Sequence, residues 1–334
     1  MGGRAFLPLI STLTGMWVGS CAVDRRMTRI VAPADFGGPE QLKISEVPTP
    51  EPGPGEVRVA VRAIGVNPID WKIYSGRIGR DPNALGGIGF ELAGVVDAVG
   101  EGVDDWSVGD EVIASQVPGN GYTDAAVVPA AGLIAKPEGL SWELAASVSV
   151  VGATAAHAVT ASGVGEGDTL LVHGAAGGVG GLVVQLARRR GVRVIATASE
   201  RNHDYLRSLG AEPVTYGEGL TDRVRTLAPD GVDAAVDAIG TDEAIDTSLA
   251  LVGDPHRIVS MAAYQRRADG ILLIGGGGEP GTEIRDAARP EVARLLATGE
   301  LTLPIQGTYS LEDTAEAHRV GLAGHTRGKL VIVP

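Results

Sequence analysis

Residues 170–181 read Leu170-Leu171-Val172-His173-Gly174-Ala175-Ala176-Gly177-Gly178-Val179-Gly180-Gly181. Three apolar residues in succession suit a parallel strand buried on both faces. Beyond the glycines, Val179, Leu182, Val183, Leu186 and Ala187 fall on one face of a helix. A glycine cluster between a buried strand and an amphipathic helix is the context in which a G-x-G-x-x-G spacing carries meaning. Its three places here are Ala175, Gly177 and Gly180, so the first departs from glycine. Gly177 lets backbone N–H groups approach a pyrophosphate, and Gly180 lets the helix pack close to the sheet. The helix N-terminus adds partial positive charge. Gly174, Ala175, Ala176, Gly177, Gly178 and Val179 are therefore the candidate phosphate contacts. The competing interpretation is a tight strand-to-helix turn without a ligand.

The pattern continues downstream. Val192 to Thr197 is the next strand, and Asn202 to Leu209 a helix ended by Gly210. Further strands are expected at Val232 to Asp237, Arg257 to Met261 and Ile271 to Ile274. Strand and helix alternate, which predicts an α/β fold with a doubly wound parallel sheet. The end of the second strand selects the cofactor. NAD enzymes place an acid there for the ribose hydroxyls. Here Ala198 holds that place, followed by Ser199, Glu200 and Arg201. Ser199 can donate a hydrogen bond and Arg201 can pair with a 2′-phosphate, which favours NADP. Glu200 facing the ribose would instead admit NAD. Tyr216 follows a strand of this sheet where the adenine phosphate would lie, and Ala238 and Ile239 end another, where ligands gather.

Upstream, from Thr28 to about Ala135, the chain is β-rich. Val57-Arg58-Val59-Ala60-Val61 alternates, and Leu92 to Val99 and Val108 to Ala114 are short strand-like runs closed by Gly and Asp turns. Trp142 to Val159, rich in Ala, is expected to form one helix. After Gly281 the expected order is a helix to about Thr298, a strand at Leu301 to Pro304, a helix at Leu311 to Val320 and a last strand at Lys329 to Val333.

A chain of 334 residues with 44% apolar and 21% charged residues can bury a sizeable core and is long enough for two domains. The net charge of −13 repels phosphate backbones, and 4% aromatics leave few stacking platforms, which argues against a nucleic-acid partner. One cysteine forbids an internal disulfide and a Cys-rich zinc site. Residues 1–26 carry a moderately apolar run from Ala5 to Val23, bounded by Arg4 and by Arg25 and Arg26, with Val18-Gly19-Ser20-Cys21 loosely like a lipoprotein box. An extension ahead of Met27 is the preferred reading over an export signal, because only one basic residue precedes the apolar run. Pro8, Gly15 and Gly19 break it as a membrane span, no other stretch approaches its length of unbroken apolar sequence, and no membrane partner and a cytoplasmic location are expected.

Four segments in order, Gly65-Val66-Asn67-Pro68-Ile69-Asp70-Trp71-Lys72-Ile73-Tyr74-Ser75-Gly76, Ala93-Gly94-Val95-Val96 to Val108-Gly109-Asp110-Glu111-Val112, the glycine turn, and Gly328-Lys329-Leu330-Val331, resemble the medium-chain dehydrogenase/reductase superfamily, and within it the zinc-independent quinone oxidoreductases. The resemblance implies a GroES-like β-rich domain built from residues 27–147 and 281–334, with a Rossmann domain at 148–280 between them. It also implies NADPH-dependent reduction of a small quinone or enone, and a homodimer formed through the last Rossmann strand. The zinc branch has a cysteine ligand where this chain has Asn67 and a histidine where it has Phe90, beside a retained Glu91, so no metal is expected. The six histidines show no paired ligand spacing. Gly86 to Phe90 and Gly275 to Gly278 depart from the family pattern and bear on the substrate pocket.

Without zinc, the developing oxyanion needs hydrogen-bond donors or cations. The family places the segment after Gly65 beside the nicotinamide, so the catalytic candidates are Asn67 as orienting amide and Lys72 or Tyr74 as proton source. Asp70 is expected to bond its own loop, and Tyr122 to line the substrate cleft. The competing function classes are a non-catalytic NADPH-binding sensor or structural protein, and an enoyl-thioester reductase.

Overall fold

Alternation of apolar and polar residues builds the first half of the chain, and continuous apolar runs build the second. The computed structural model describes residues 27–77, 85, 88–115, 117, 120–275 and 281–334. The N-terminal stretch 1–26, Gly86-Gly87 and Gly276 to Gly278 lie outside the described residues.

Strands β1 (Met27–Pro33) and β2 (Leu42–Pro48) form an antiparallel ribbon. Then come β3 (Glu56–Gly65), helix α1 (Pro68–Tyr74), β4 (Leu92–Val99), β5 (Glu111–Ala114), β6 (Ala125–Pro129) and β7 (Leu133–Ala135). Along β3 the side chains of Val57, Val59 and Val61 are buried while their neighbours are not, the signature of a strand with one wet face.

Helices α2 (Trp142–Ala145) and α3 (Ala153–Ala161) lead into β8 (Thr169–His173), α4 (Gly178–Arg189), β9 (Arg193–Thr197), α5 (His203–Ser208), β10 (Glu212–Val214), α6 (Leu220–Leu227), β11 (Ala234–Asp237), α7 (Asp242–Leu251), β12 (Ile258–Ser260) and β13 (Leu272–Leu273). These strands lie in the order β10-β9-β8-β11-β12-β13, with every neighbouring pair parallel. That is the doubly wound arrangement, and its strand order reverses between β8 and β11, where such sheets bind ligands. Helix α8 (Thr282–Ala297) packs on α3, burying Val292, Ala293, Leu295 and Leu296. The chain rejoins the first sheet at β14 (Ile305–Tyr309); α9 (Thr314–Leu322) follows, and β15 (Lys329–Ile332) pairs with β3. The mixed sheet β14-β15-β3-β4-β5-β7, with β6 also on β3, is thus drawn from both ends of the chain.

Three expectations are corrected. The helix at Trp142 to Val159 is interrupted: the Gly152 N–H bonds back five residues to the Ser147 carbonyl, and the Glu91 carboxylate takes the Val150 N–H at 2.7 Å. A side chain that captures a backbone donor removes it from the helical ladder, which widens the turn locally. By length and apolarity Trp142–Ala161 would also pass for a membrane span, against the expectation that nothing beyond the N-terminus comes close; its window is 67% buried inside the protein. The strand expected at Leu301 to Pro304 begins instead at Ile305. Leu301 and Leu303 are buried, but the backbone of Thr302 pairs with the side-chain amide of Gln185, which accepts its N–H and donates to its carbonyl, both at 2.8 Å. The alternation is there; the partner is a side chain.

Candidate active site

The turn after β8 has the geometry of an anion cradle. Gly177 is the N-cap of α4, and the first intrahelical bond runs from Gly181 N–H to the Gly177 carbonyl at 2.9 Å. The amides of Gly178, Val179 and Gly180 precede it and are the open donors of the helix start. Gly180 admits no side chain: a Cβ there would collide with the Gly174 carbonyl oxygen and stand 2.7 Å from Ala175 Cα. Ala175 is fully buried and its N–H donates to the Thr197 carbonyl at 3.2 Å, so the first fingerprint place faces β9 and accepts a methyl group. Gly174 faces Ala238 and Ile239 across the switch point, 3.4 Å from where its Cβ would stand. The Asp237 carboxylate shapes that second turn by accepting the N–H groups of Ile239 at 3.0 Å and Gly240 at 2.9 Å and the Ser260 hydroxyl at 2.6 Å. The turns after β8 and β11 therefore border one crevice.

Beyond the end of β9 lies a groove of about 580 Å³ lined by Arg201, Asn202, Gln306, His325 and Arg327 among others, none of them acidic. Arg201 donates to the His325 carbonyl at 3.3 Å, and Arg327 to the Asn202 side-chain oxygen at 3.0 Å and the Arg201 carbonyl at 3.4 Å. Neither guanidinium has a carboxylate partner among the described residues. In a chain of net charge −13, two arginines without a counterion mark a place for an anion. Ser199 accepts from the Asn202 amide at 3.3 Å and helps hold this wall, and Tyr216 is half exposed after β10. Arg327 escapes a sequence reading: it follows α9, some 130 residues beyond the strand whose end it borders, and no local pattern distinguishes it from a surface arginine.

The three catalytic candidates separate. Asn67 is buried and bonded at both ends of its amide: Nδ2 donates to Glu91 Oε1 at 2.9 Å and to the Gly65 carbonyl at 3.3 Å, and Oδ1 accepts from Lys329 Nζ at 2.6 Å. Both amide protons are thus spent inside the protein. Tyr74 lies away from the cleft. It is fully buried, its hydroxyl 2.9 Å from His318 Nδ1; His318 Nε2 is 3.0 Å from the Tyr122 hydroxyl, which donates to Asp70 Oδ2 at 2.8 Å. Tyr122 likewise has no exposed surface and does not line the cleft as expected. Burial keeps the imidazole neutral, and because Tyr122 donates to Asp70, His318 Nε2–H donates to Tyr122 and Nδ1 accepts from Tyr74, a one-way chain. Burial lowers the His318 pKa to about 4 and raises that of Tyr74. Asp70 does bond its own loop: its carboxylate accepts the Asn67 N–H at 2.8 Å and the Gly89 N–H at 2.9 Å. Burial nevertheless raises its pKa to about 6.

Lys72 remains. Its ammonium is half buried and has no hydrogen-bond or ion-pair partner among the described residues. Burial and then the charge of Arg77 lower its pKa, while Asp237 at the end of β11 opposes them. Asp237, which acts on this ammonium electrostatically, stands at the carboxyl end of β11. A cation within its influence, ready to lose a proton, suits an acid for a reaction at the crevice. Among the described residues no three His, Cys, Asp or Glu side chains form a metal-holding group.

Comparisons with known proteins agree with this architecture. The family profile "Alcohol dehydrogenase GroES-like domain" matches residues 53–156, and "Zinc-binding dehydrogenase" matches 178–273. A quinone oxidoreductase of Pseudomonas aeruginosa is 32% identical over 329 residues, covering 92% of this chain and 100% of that protein. The crystal structure of Escherichia coli quinone oxidoreductase complexed with NADPH superimposes with a TM-score of 0.82 at 26% identity, covering 92% of this chain and 100% of that one. A segment making up 8% of the pikromycin polyketide synthase component PikAII of Streptomyces venezuelae is 36% identical over 306 residues, 86% of this chain.

Proposed function

This chain belongs to the medium-chain dehydrogenase/reductase superfamily, among the quinone oxidoreductase-like members, and from that premise we propose that it reduces a quinone or an α,β-unsaturated carbonyl with NADPH, by direct hydride transfer and without zinc. The observation that carries this proposal is a shared border. The glycine turn and the two-arginine groove meet at Arg327-Gly328, where Gly328 bonds the Ala176 carbonyl at 3.1 Å and Arg327 reaches into the groove. A diphosphate on the open amides of Gly178 to Gly180 would run on to a 2′-phosphate between Arg201 and Arg327.

The bound dinucleotide supplies the hydride, and the protein supplies place, charge and a proton. The turn after β8 would hold the diphosphate, the groove beyond β9 the 2′-phosphate half, and the crevice bordered by the turn after β11 the nicotinamide half. Lys72 gives its proton to the oxygen or α-carbon that gains electron density, and is recharged from solvent through its exposed side. Asn67 acts by fixing the start of α1 and hence the position of Lys72. Zinc independence is supported by what stands around Asn67: Val66 O, Asn67 Oδ1 and Glu91 Oε1 gather on the ammonium of Lys329 at 2.6–2.8 Å, so these oxygens already serve a cation of the protein's own.

An enoyl thioester is also an α,β-unsaturated carbonyl, and the match to a polyketide synthase segment favours it as the second substrate class. Steady-state NADPH oxidation with quinones, simple enones and enoyl thioesters tests the proposal, with metal analysis and chelation alongside. Turnover of one class at chelator-insensitive rates is expected. Tight NADPH binding with no turnover of any acceptor would instead identify a sensor, and loss of activity on chelation would refute zinc independence.

A further inference from the structure

We propose that Lys329 and Glu91 are positioning residues of the hydride-transfer site, a buried ion pair that sets where the Asn67–Lys72 segment stands over the sheet and registers it against the dinucleotide turn. The proposal rests on the functional reading above. Lys329 is 3% exposed and Glu91 0%, with 2.7 Å between Nζ and Oε1. All three ammonium protons have acceptors: Val66 O at 2.8 Å, Asn67 Oδ1 at 2.6 Å and Glu91 Oε1. Glu91 is as fully engaged. Its Oε1 also accepts from Asn67 Nδ2, and its Oε2 takes the Val150 N–H at 2.7 Å.

Stability alone does not explain such a pair. Two charges taken out of water recover little more than their desolvation cost, and a hydrophobic pair of similar volume often serves a fold as well. Geometry does explain it. The bonds reach four separate pieces of chain: β15 through Lys329, the β3–α1 junction through Val66 and Asn67, the start of β4 through Glu91, and the widened turn before α3 through Val150. Asn67 is the N-cap of α1, which has seven residues, so fixing Asn67 fixes Lys72 within the same short helix. There is no slack, since a Cβ on Gly65 would collide with both Glu91 Oε1 and the Ala146 carbonyl oxygen. The residue before Lys329 touches the other half of the site: Gly328 donates to Ala176 and pairs with Gly177 in the turn. One peptide step therefore separates the phosphate cradle from the network that holds the proposed proton donor.

The test uses the whole protein and three readouts: melting temperature, NADPH affinity by fluorescence, and kcat with the best acceptor. Lys329→Met strands the Glu91 charge and is expected to be unstable, so it decides nothing alone. The double variant Lys329→Met with Glu91→Leu removes both charges, and Lys329→Arg keeps a cation whose planar fork cannot reproduce the three-oxygen set. Both are expected to bind NADPH within about threefold of wild type while kcat falls by roughly 100-fold, the scale of a misplacement of about 1 Å at a reacting centre. Wild-type kcat in a folded double variant would overturn the proposal. So would a kcat loss in Lys329→Arg matched by an equal loss of NADPH affinity, because the pair would then serve binding. If the double variant does not fold, Lys329→Arg decides by the same criteria. Absence of NADPH turnover in the wild-type protein would instead sink the functional reading, a separate outcome.

Discussion

The N–H of Gly328 donates to the carbonyl of Ala176 over 3.1 Å, and this bond ties the start of the last strand to the glycine turn proposed to hold a diphosphate. Gly328 has φ +72°, and a Cβ there would overlap the Pro304 carbonyl oxygen. Gly328→Ala is expected to cost about 2–4 kcal/mol from left-handed strain and overlap together. Urea unfolding measures it, and a loss below about 1 kcal/mol would show that the contact relaxes cheaply.

Gly180→Ala acts on the cradle. Its methyl group must push the Gly174 carbonyl or the α4 start aside. NADPH affinity is expected to fall at least about tenfold, read by fluorescence titration, with a smaller change in melting temperature. Unchanged affinity would mean that the turn does not carry the diphosphate.

Arg327→Gln removes one of the two guanidiniums in the groove at the end of β9, neither of which has a carboxylate partner among the described residues. A charge-assisted bond to phosphate is worth about 1.5–3 kcal/mol, so KM for NADPH is expected to rise roughly 10- to 100-fold. KM for NADH should stay within about twofold. Equal effects on both cofactors would place the 2′-phosphate elsewhere.

Lys72 must be protonated to act as an acid, and burial lowers its pKa. Activity is therefore expected to decline on the alkaline side, as pH rises through that lowered value. Lys72→Gln should remove this limb and reduce kcat about 10²- to 10⁴-fold. An unaltered pH–rate profile in the variant would exclude Lys72 as the donor.

Acid stability follows from three buried groups. The pKa of His318 and of His173 is about 4, pushed down from 6.5 by burial; their neutral forms favour the fold above pH 6.5, and that contribution is lost as pH falls through 4. Asp70, raised from 3.8 to about 6, runs the other way: its contribution is present below pH 3.8 and lost as pH rises through 6. Two histidines outweigh one aspartate, and these groups alone should lower the unfolding free energy by about 3 kcal/mol between pH 7 and pH 4. His318→Leu should flatten that slope, and an equally steep decline in the variant would assign the acid lability to other groups.

Short-range patterns in the chain carried the parallel sheet, the glycine turn and the alternating strands. Strand pleat, helix period and the crowding at Gly180 act over a few residues, so the order of amino acids determines them locally. It also revealed Asp70 as a loop-bonding residue, three positions from the N–H it accepts. Tyr74 and Lys72 looked equivalent, two residues apart on one short helix. Only the packed structure separated them, by closing His318 over Tyr74 from 244 residues away and leaving the Lys72 ammonium without a hydrogen-bond or ion-pair partner among the described residues. The same holds for Asn67, whose amide is spent on Glu91 and on Lys329, 24 and 262 residues distant. A hydrogen bond consumes a specific proton and a specific lone pair, and chain order cannot reveal which distant group takes them. That allocation, made when the C-terminal strand docks beside the phosphate turn, is what tertiary structure decided.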